Sequence, residues 1–312
     1  MPTVRQVEDL NHDAYASSKV VYMGNVIEVT TLTKQPSAPP CQKLDKDHFI
    51  DLRTGEVKEY EHGETRADST KSIRRTLAHI RALVNTNVTD ASRCRWVTLT
   101  YAENMTDTER LYQDFRKFWQ RFKYWNARQG FTKPEYITVQ EPQGRGAWHI
   151  HAFFIWPDKA PFIDNNSVME KLWRHGFTST KALADIDNIG AYFSAYLGDM
   201  PLDEALALPD REKILALDAG HVIEKQFTND RDLTKEKKFI KGGRLGLYPA
   251  GMNIIRTSRG IKHPEVERMT YEEAQKKVSS AKLTFSRSYE IVLDDDTVCN
   301  SLTKSYYNRS RK

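Results

Sequence analysis

Residues 134–156, PEYITVQEPQGRGAWHIHAFFIW, limit the fold of this chain more than any other stretch. Pro134 to Glu141 alternates with the period of two that a half-buried strand requires, and Ala147 to Trp156 is a second run of apolar and aromatic residues. The intervening PQGRG is turn chemistry, so the two runs read as an antiparallel hairpin. Side chains at i and i+2 of a strand share a face. His149 and His151 therefore project together, while Ile150 and Ala152 go to the core side. Glu141 ends the preceding strand and is folded back beside the two histidines by the short connection.

The flanking segments say what this hairpin packs into. Lys71 to Val84 places Ile73, Leu77, Ile80 and Val84 at helical steps. Trp96 to Tyr101 (WVTLTY) is short, β-branched and aromatic, the composition of a strand. Thr106 to Arg128 carries a stripe of Leu111, Phe115, Phe118, Phe122 and Trp125, a long helix laid on a sheet, with Arg116, Lys117, Arg121, Lys123 and Arg128 on the opposite side. Asn165 to His175 reads as a helix, Thr178 to Ile186 as a fourth strand, and Asp187 to Leu197 as a further helix begun by a capping Asp or Asn. The pattern predicts an α+β domain of ferredoxin-like type, a central antiparallel sheet backed by helices, over residues 71–200. Residues 1–70 read as a turn-rich N-terminal extension and 201–312 as a basic C-terminal region.

Composition excludes some functions. At 312 residues the chain can bury a substantial core, and 39% hydrophobic residues suffice to fold most of it. No run approaches the roughly 18 apolar residues of a membrane span, and the N-terminal stretch has no signal-type apolar segment, so a cytoplasmic location is expected. Cys41, Cys94 and Cys299 are far apart and form neither a disulfide frame nor a CxxC pair. The net charge of +5 is modest, but from Lys225 to Lys262 ten Lys and Arg face three acids. That block suggests a polyanion-binding face, with a solvated surface as the plain alternative. Within it, Tyr248, Arg256, Arg259 and Lys262 mix an aromatic with cations able to reach phosphates and bases, although an ordinary edge hairpin has the same composition. No GxxxxGK[ST] motif occurs, so no nucleotide cofactor and no helicase motor is expected in this polypeptide.

Two imidazoles and one carboxylate on a sheet face make an open site for Mn²⁺ or Mg²⁺, with positions left for water and a phosphate oxygen. A pair of partly exposed histidines is the alternative reading of His149 and His151. Tyr192 and Tyr196 stand at i and i+4 in the expected helix and so share a face. A phenol with a pKa of about 10 is a poor nucleophile at neutral pH and needs a neighbouring cation or a metal-activated electrophile. A divalent ion on Glu141, His149 and His151 would provide the latter. Simple packing of the two tyrosines is the competing possibility.

Taken in order, WVTLTY, EPQGRGAWHIH and GAYFSAYLGD resemble the three motifs of the rolling-circle replication initiators of the HUH endonuclease superfamily, in which U is a bulky apolar residue. His149, Ile150 and His151 match that motif, Glu141 stands where many members have the third ligand, and Tyr192 and Tyr196 match the paired tyrosines of the plasmid and phage type. The resemblance implies a nicking and joining domain at 71–200 that cuts single-stranded origin DNA through a tyrosine, leaving a 5′-phosphotyrosyl link and a free 3′-hydroxyl. It also implies a host helicase and DNA polymerase as partners. Phosphate or base contacts are expected from Arg145, Lys237, Lys238, Lys241, Arg256 and Arg259. The family's tyrosine motif usually carries a lysine three residues after the first tyrosine. Here that place is Ala195, so the role is either absent or filled from elsewhere. A transposase using the same residues, and a non-catalytic single-strand-binding module, are the alternative functions.

Overall fold

The computed structural model describes residues 3–35, 41–60, 70–144, 146–183, 188–190, 199–218, 222–228, 234–249 and 252–311. The chain divides into two units, residues 65–264 and, from both sides of them in sequence, residues 1–64 with 265–312. The architecture is α+β, with antiparallel pairing throughout the described sheets.

The split unit is built on a six-stranded sheet in the lateral order Thr3–Val7, Lys282–Val292, Val298–Asn308, Val26–Leu32, Ser17–Met23, Glu265–Thr270. Ser17–Met23 and Val26–Leu32 form a tight hairpin whose turn uses Gly24 at φ 61°, a conformation that costs glycine little. Helix Tyr271–Val278 starts with a capping box between Thr270 and Glu273 and buries Ala274 and Val278 against Val20, Ile27 and Val29. A small three-stranded sheet, Cys41–Lys43, His48–Asp51 and Val57–Glu59, completes the unit. Among its described residues, the N-terminal segment, expected to be turn-rich, thus holds six strands. It also shares its main sheet with residues beyond 264, where the sequence reading set the first 70 residues apart.

The continuous unit contains the hairpin. Its five-stranded sheet runs Thr178–Ala182, Cys94–Thr100, Trp148–Ile155, Glu135–Pro142, Ile255–Thr257. Numbered along the chain, its first four strands lie side by side as fourth, first, third, second, the split βαβ arrangement of a ferredoxin-like sheet. Helix Thr108–Arg128 begins at an Asp107 cap that accepts from the backbone N–H groups of Glu109 and Arg110. It buries Leu111, Phe115, Phe118 and Phe122, and Phe118, Trp119 and Phe122 meet Phe154 of the central strand. Helix Thr70–Asn87 adds Ile80, Leu83 and Val84 to the same core. The helix expected from Asn165 to His175 runs from Asn165 to Trp173, opening as a π-turn, Asn165–Met169, and continuing as a single α-turn, Glu170–Trp173. Arg174 closes it at φ 70°, a left-handed cap after which the chain cannot continue as a helix. After residue 199, a three-stranded sheet (Met200–Pro201, Thr234–Ile240, Val222–Thr228) carries the short helices Leu202–Leu206 and Asp210–Asp218.

Candidate metal centre and nucleic-acid interface

The register of three neighbouring strands assembles the centre. Glu141 stands directly opposite His149, and His149 opposite Thr100. One pair further along, His151 lies between Val139 and Thr98. Because every second residue faces the same way, Glu141, His149, His151, Thr98 and Thr100 share one side of the sheet, while Ile150 and Ala152 are buried toward the helix Thr108–Arg128. The imidazole centroids of His149 and His151 are 6.3 Å apart. One ligand atom from each of Glu141, His149 and His151 can be chosen so that all three lie within 4.8 Å of one another. The hairpin reading and the ligand triad of the sequence are therefore brought together.

His151 is 1% exposed and Glu141 4%. The Nε2 of His151 is 2.5 Å from a Glu141 carboxylate oxygen, and its Nδ1 is 3.1 Å from the Thr98 hydroxyl, which fixes the ring's orientation. The other Glu141 oxygen is 3.0 Å from the Nε of Arg244. Burial is the largest influence on Glu141 and pushes its pKa up. The adjacent His151, Arg244 and His149 outweigh it, so the net pKa lies below the usual carboxylate value. The carboxyl is held ionised at neutral pH, the form that binds a cation. Two imidazole nitrogens and one anionic oxygen, drawn from rigid strands and steadied by a neighbouring hydroxyl, fit a divalent ion.

Arg244 had no individual signal in the sequence, where it counted only as one cation in the basic block. Its guanidinium is 11% exposed and contacts four groups: Glu141, both oxygens of Glu204 at 2.8 and 2.9 Å, the Pro142 carbonyl at 3.2 Å and the Asp199 carbonyl at 3.2 Å. Asn85 was also missed. Its side chain accepts from the Gly190 backbone N–H at 2.8 Å and donates to Asn188 at 2.8 Å, and Gly190 passes so near that a Cβ would stand 2.4 Å from the Arg81 carbonyl.

Tyr192, Tyr196 and Ala195, together with Arg145, lie outside the described residues. The residues on either side of the tyrosine segment are described: Gly190 is held by Asn85, and Asp199 by Arg244 and by the Gly242 N–H at 3.0 Å.

The expected DNA-contacting cations are spread more widely. Lys237 pairs with Lys225 in the register of the hairpin Val222–Thr228/Thr234–Ile240, and its side chain is outside the described set. Lys238 is exposed with its ammonium 3.5 Å from Glu224, and Lys241 is exposed in the turn that follows. Arg256 lies on the strand Ile255–Thr257 opposite Thr138, so it belongs to the helix-bearing face and stacks 3.4 Å over the Tyr112 ring. It is on the other side of the sheet from the triad. Arg259 is exposed in the turn after that strand. Tyr248 is buried and donates to the Gln140 carbonyl at 2.9 Å, so it is part of the core rather than a surface for bases.

The segment that holds the triad also resembles a known family. Residues 94–200 match the family model of replication-associated protein ORF2/G2P. The ORF2/G2P match begins at the first residue of the strand Cys94–Thr100 and runs to Met200, so it takes in four strands of the five-stranded sheet, the long helix and all three candidate ligands. It agrees with the resemblance to rolling-circle initiators that the motifs carry, and a replication-associated family implies DNA as the partner. It covers roughly a third of the chain. No curated protein and no solved structure matches the chain. Among the described residues no helix is long and apolar enough to cross a membrane.

Proposed function

We propose that this chain is a rolling-circle replication initiator that nicks and rejoins single-stranded origin DNA through tyrosine transesterification. The observation that carries the reading is the coincidence of the Glu141, His149 and His151 cluster with a segment matched to a replication-associated family. Glu141, His149 and His151 would hold Mn²⁺ or Mg²⁺, which would supply Lewis-acid polarisation of the scissile phosphate. Thr98 orients His151, and Arg244 compensates the buried charge of Glu141. Tyr192 is the first nucleophile and Tyr196 the second. The tyrosyl oxygen bonds to phosphorus as the bond from phosphorus to the 3′ oxygen breaks, and the tyrosyl proton ends on that oxygen. The products are a 5′-phosphotyrosyl link, which conserves the energy for rejoining, and a 3′-hydroxyl that primes a host polymerase while a host helicase unwinds.

Support for a tyrosine near this centre comes from Arg244, whose guanidinium contacts both Glu141 and the carbonyl of Asp199, three residues after Tyr196. Arg145, Lys237, Lys238, Lys241, Arg256 and Arg259 are the proposed DNA contacts, with Arg256 serving strand segments that pass round to the helix side of the sheet.

The test is incubation of the chain with a labelled origin-strand oligonucleotide and Mn²⁺, followed by electrophoresis in SDS. A protein–DNA band that survives the detergent is expected from the wild-type chain and from Tyr196→Phe, and none from Tyr192→Phe. Tyr196→Phe should cut once yet fail to resolve a finished round into closed circles. Peptide mass spectrometry that finds the nucleotide only on Tyr196 reverses the assignment. A wild-type chain that binds DNA but forms no adduct is a non-catalytic binder.

A further inference from the structure

The strand Thr178–Ala182 lies at one edge of the five-stranded sheet, and the residue that enters it keeps its side chain in solvent. Phe177 is 69% exposed. A single exposed phenylalanine is common and by itself marks nothing. Its position is the informative part. The Phe177 carbonyl accepts from the Thr100 N–H at 2.9 Å, and the next pair in register is Thr178 with Leu99, so Phe177 stands opposite Thr100. Thr100 is opposite His149, and His149 opposite Glu141. Directly opposed residues of antiparallel strands share a face, which makes Phe177, Thr100, His149 and Glu141 one cross-strand row. At about 4.8 Å per strand, the backbone of Phe177 is roughly 10 Å from that of His149.

The turn that delivers Phe177 is tightly determined. Arg174 adopts its left-handed conformation, His175 rests against Trp173 and reaches Asp114 at 3.5 Å, and Gly176 sits at φ 150°. Gly176 passes so close to the neighbouring strand that a Cβ would stand 2.4 Å from the Ala102 nitrogen. Ser179 and Lys181 follow at i+2 and i+4 on the same face of the edge strand, both exposed. An aromatic ring, a hydroxyl and a cation thus line the side of the sheet that holds the candidate ligands.

We infer that this edge is a track for single-stranded DNA, in which a base next to the phosphate at the metal centre stacks on Phe177 and Lys181 meets a backbone phosphate further along. The inference rests on the nucleic-acid reading of the site and adds to it the surface that grips the strand. Unpaired bases offer π-faces of any sequence to an aromatic side chain, whereas a duplex hides them. A cation about 13 Å along the strand from that ring is within reach of a phosphate of the same short segment, at the strand's rise of roughly 3.3 Å per residue.

The experiment is fluorescence anisotropy of a labelled single strand with the full chain in EDTA, where no cleavage intervenes. Phe177→Ala should weaken binding on the order of tenfold, within the range for loss of one stacked base. Phe177→Trp should restore it, and the dependence of log affinity on log salt should keep its slope, because stacking releases no counterions. Lys181→Ala should instead flatten that slope by about 0.7. Equal affinity of Phe177→Ala and the wild-type chain overturns the assignment, as does a loss seen only with duplex. Failure of the underlying function looks different: the wild-type chain then forms no Mn²⁺-dependent adduct, while the Phe177 variants still differ in affinity.

Discussion

His151 is fixed on two sides, by the Thr98 hydroxyl and by Glu141, and almost no water reaches it. His149→Ala or His151→Ala should therefore abolish nicking while leaving most DNA affinity, which comes from phosphate contacts spread over many residues. Undiminished cleavage by either variant with metal present removes the centre. Glu141→Ala should impair cleavage less, since water can replace one oxygen ligand. These three residues were legible because strand period and a short turn are local properties of sequence. Arg244 was not, because its bond to the Pro142 carbonyl closes over 102 residues and no local pattern records it. Arg256 shows a related limit. Its charge was legible, but the face it occupies follows from pairing with Thr138 and from the Tyr112 ring beneath it.

Among the elements, the hairpin Val222–Thr228/Thr234–Ile240 carries the densest part of the basic block. If it lies along the DNA backbone, neutralising Lys237, Lys238 and Lys241 together should flatten the salt dependence of affinity by about 2, at roughly 0.7 per phosphate on a single strand. An unchanged slope returns the hairpin to the role of solvated surface. The exposed pair of Lys238 with Glu224 offers little resistance to such a role, since ion pairs in water contribute at most about 1 kcal/mol. The turn before the edge strand gives a stability prediction. Gly176→Ala adds a methyl group against backbone and forces a positive φ, so it should cost roughly 3 kcal/mol in denaturant unfolding, from strain and overpacking combined. A loss below about 1 kcal/mol would mean that the strands separate easily there. The long helix was readable from its aromatic stripe to within two residues. The helix at Asn165–Trp173 was readable too, but its π-type opening, in which the Met169 N–H reaches the Asp164 carbonyl, and its left-handed stop at Arg174 were not.

For the molecule as a whole, the strands of residues 3–59 escaped the sequence reading although Ser17–Met23 and Val26–Leu32 are rich in β-branched residues. Their sheet is completed by Val298–Asn308 and Lys282–Val292, and a pairing between segments so far apart in sequence leaves no local mark. Both units share an acid sensitivity. Burial lowers the pKa of His12 in one unit and of His79 in the other, where His263 adds to the effect; burial also lowers that of His175 against an opposing pull from Asp114. With folded values below the usual 6.5, the unfolded chain binds more protons in the interval between them. Stability is fully present above about 6.5 and is lost as the pH falls through that interval, with each ring's share reduced by the water that still reaches it. Urea midpoints should hold level from pH 7.5 to about 6.5 and fall below it. A flat profile would mean that these rings are solvated.

The pairing of Leu32 with Leu302 has a consequence for synthesis. On the ribosome, the early strands emerge long before their partners, while residues 65–264 already contain every strand of their own sheets. The inserted unit can therefore close first, and the six-stranded sheet must wait for Lys282–Val292 and Val298–Asn308. During that wait the N-terminal hairpin presents bare strand edges, the feature that most invites mispairing between nascent chains. Such high contact order also makes the sheet the slow step of maturation. A chain arrested before residue 298 would carry a finished metal-centre unit beside an orphaned hairpin, a natural client for a chaperone.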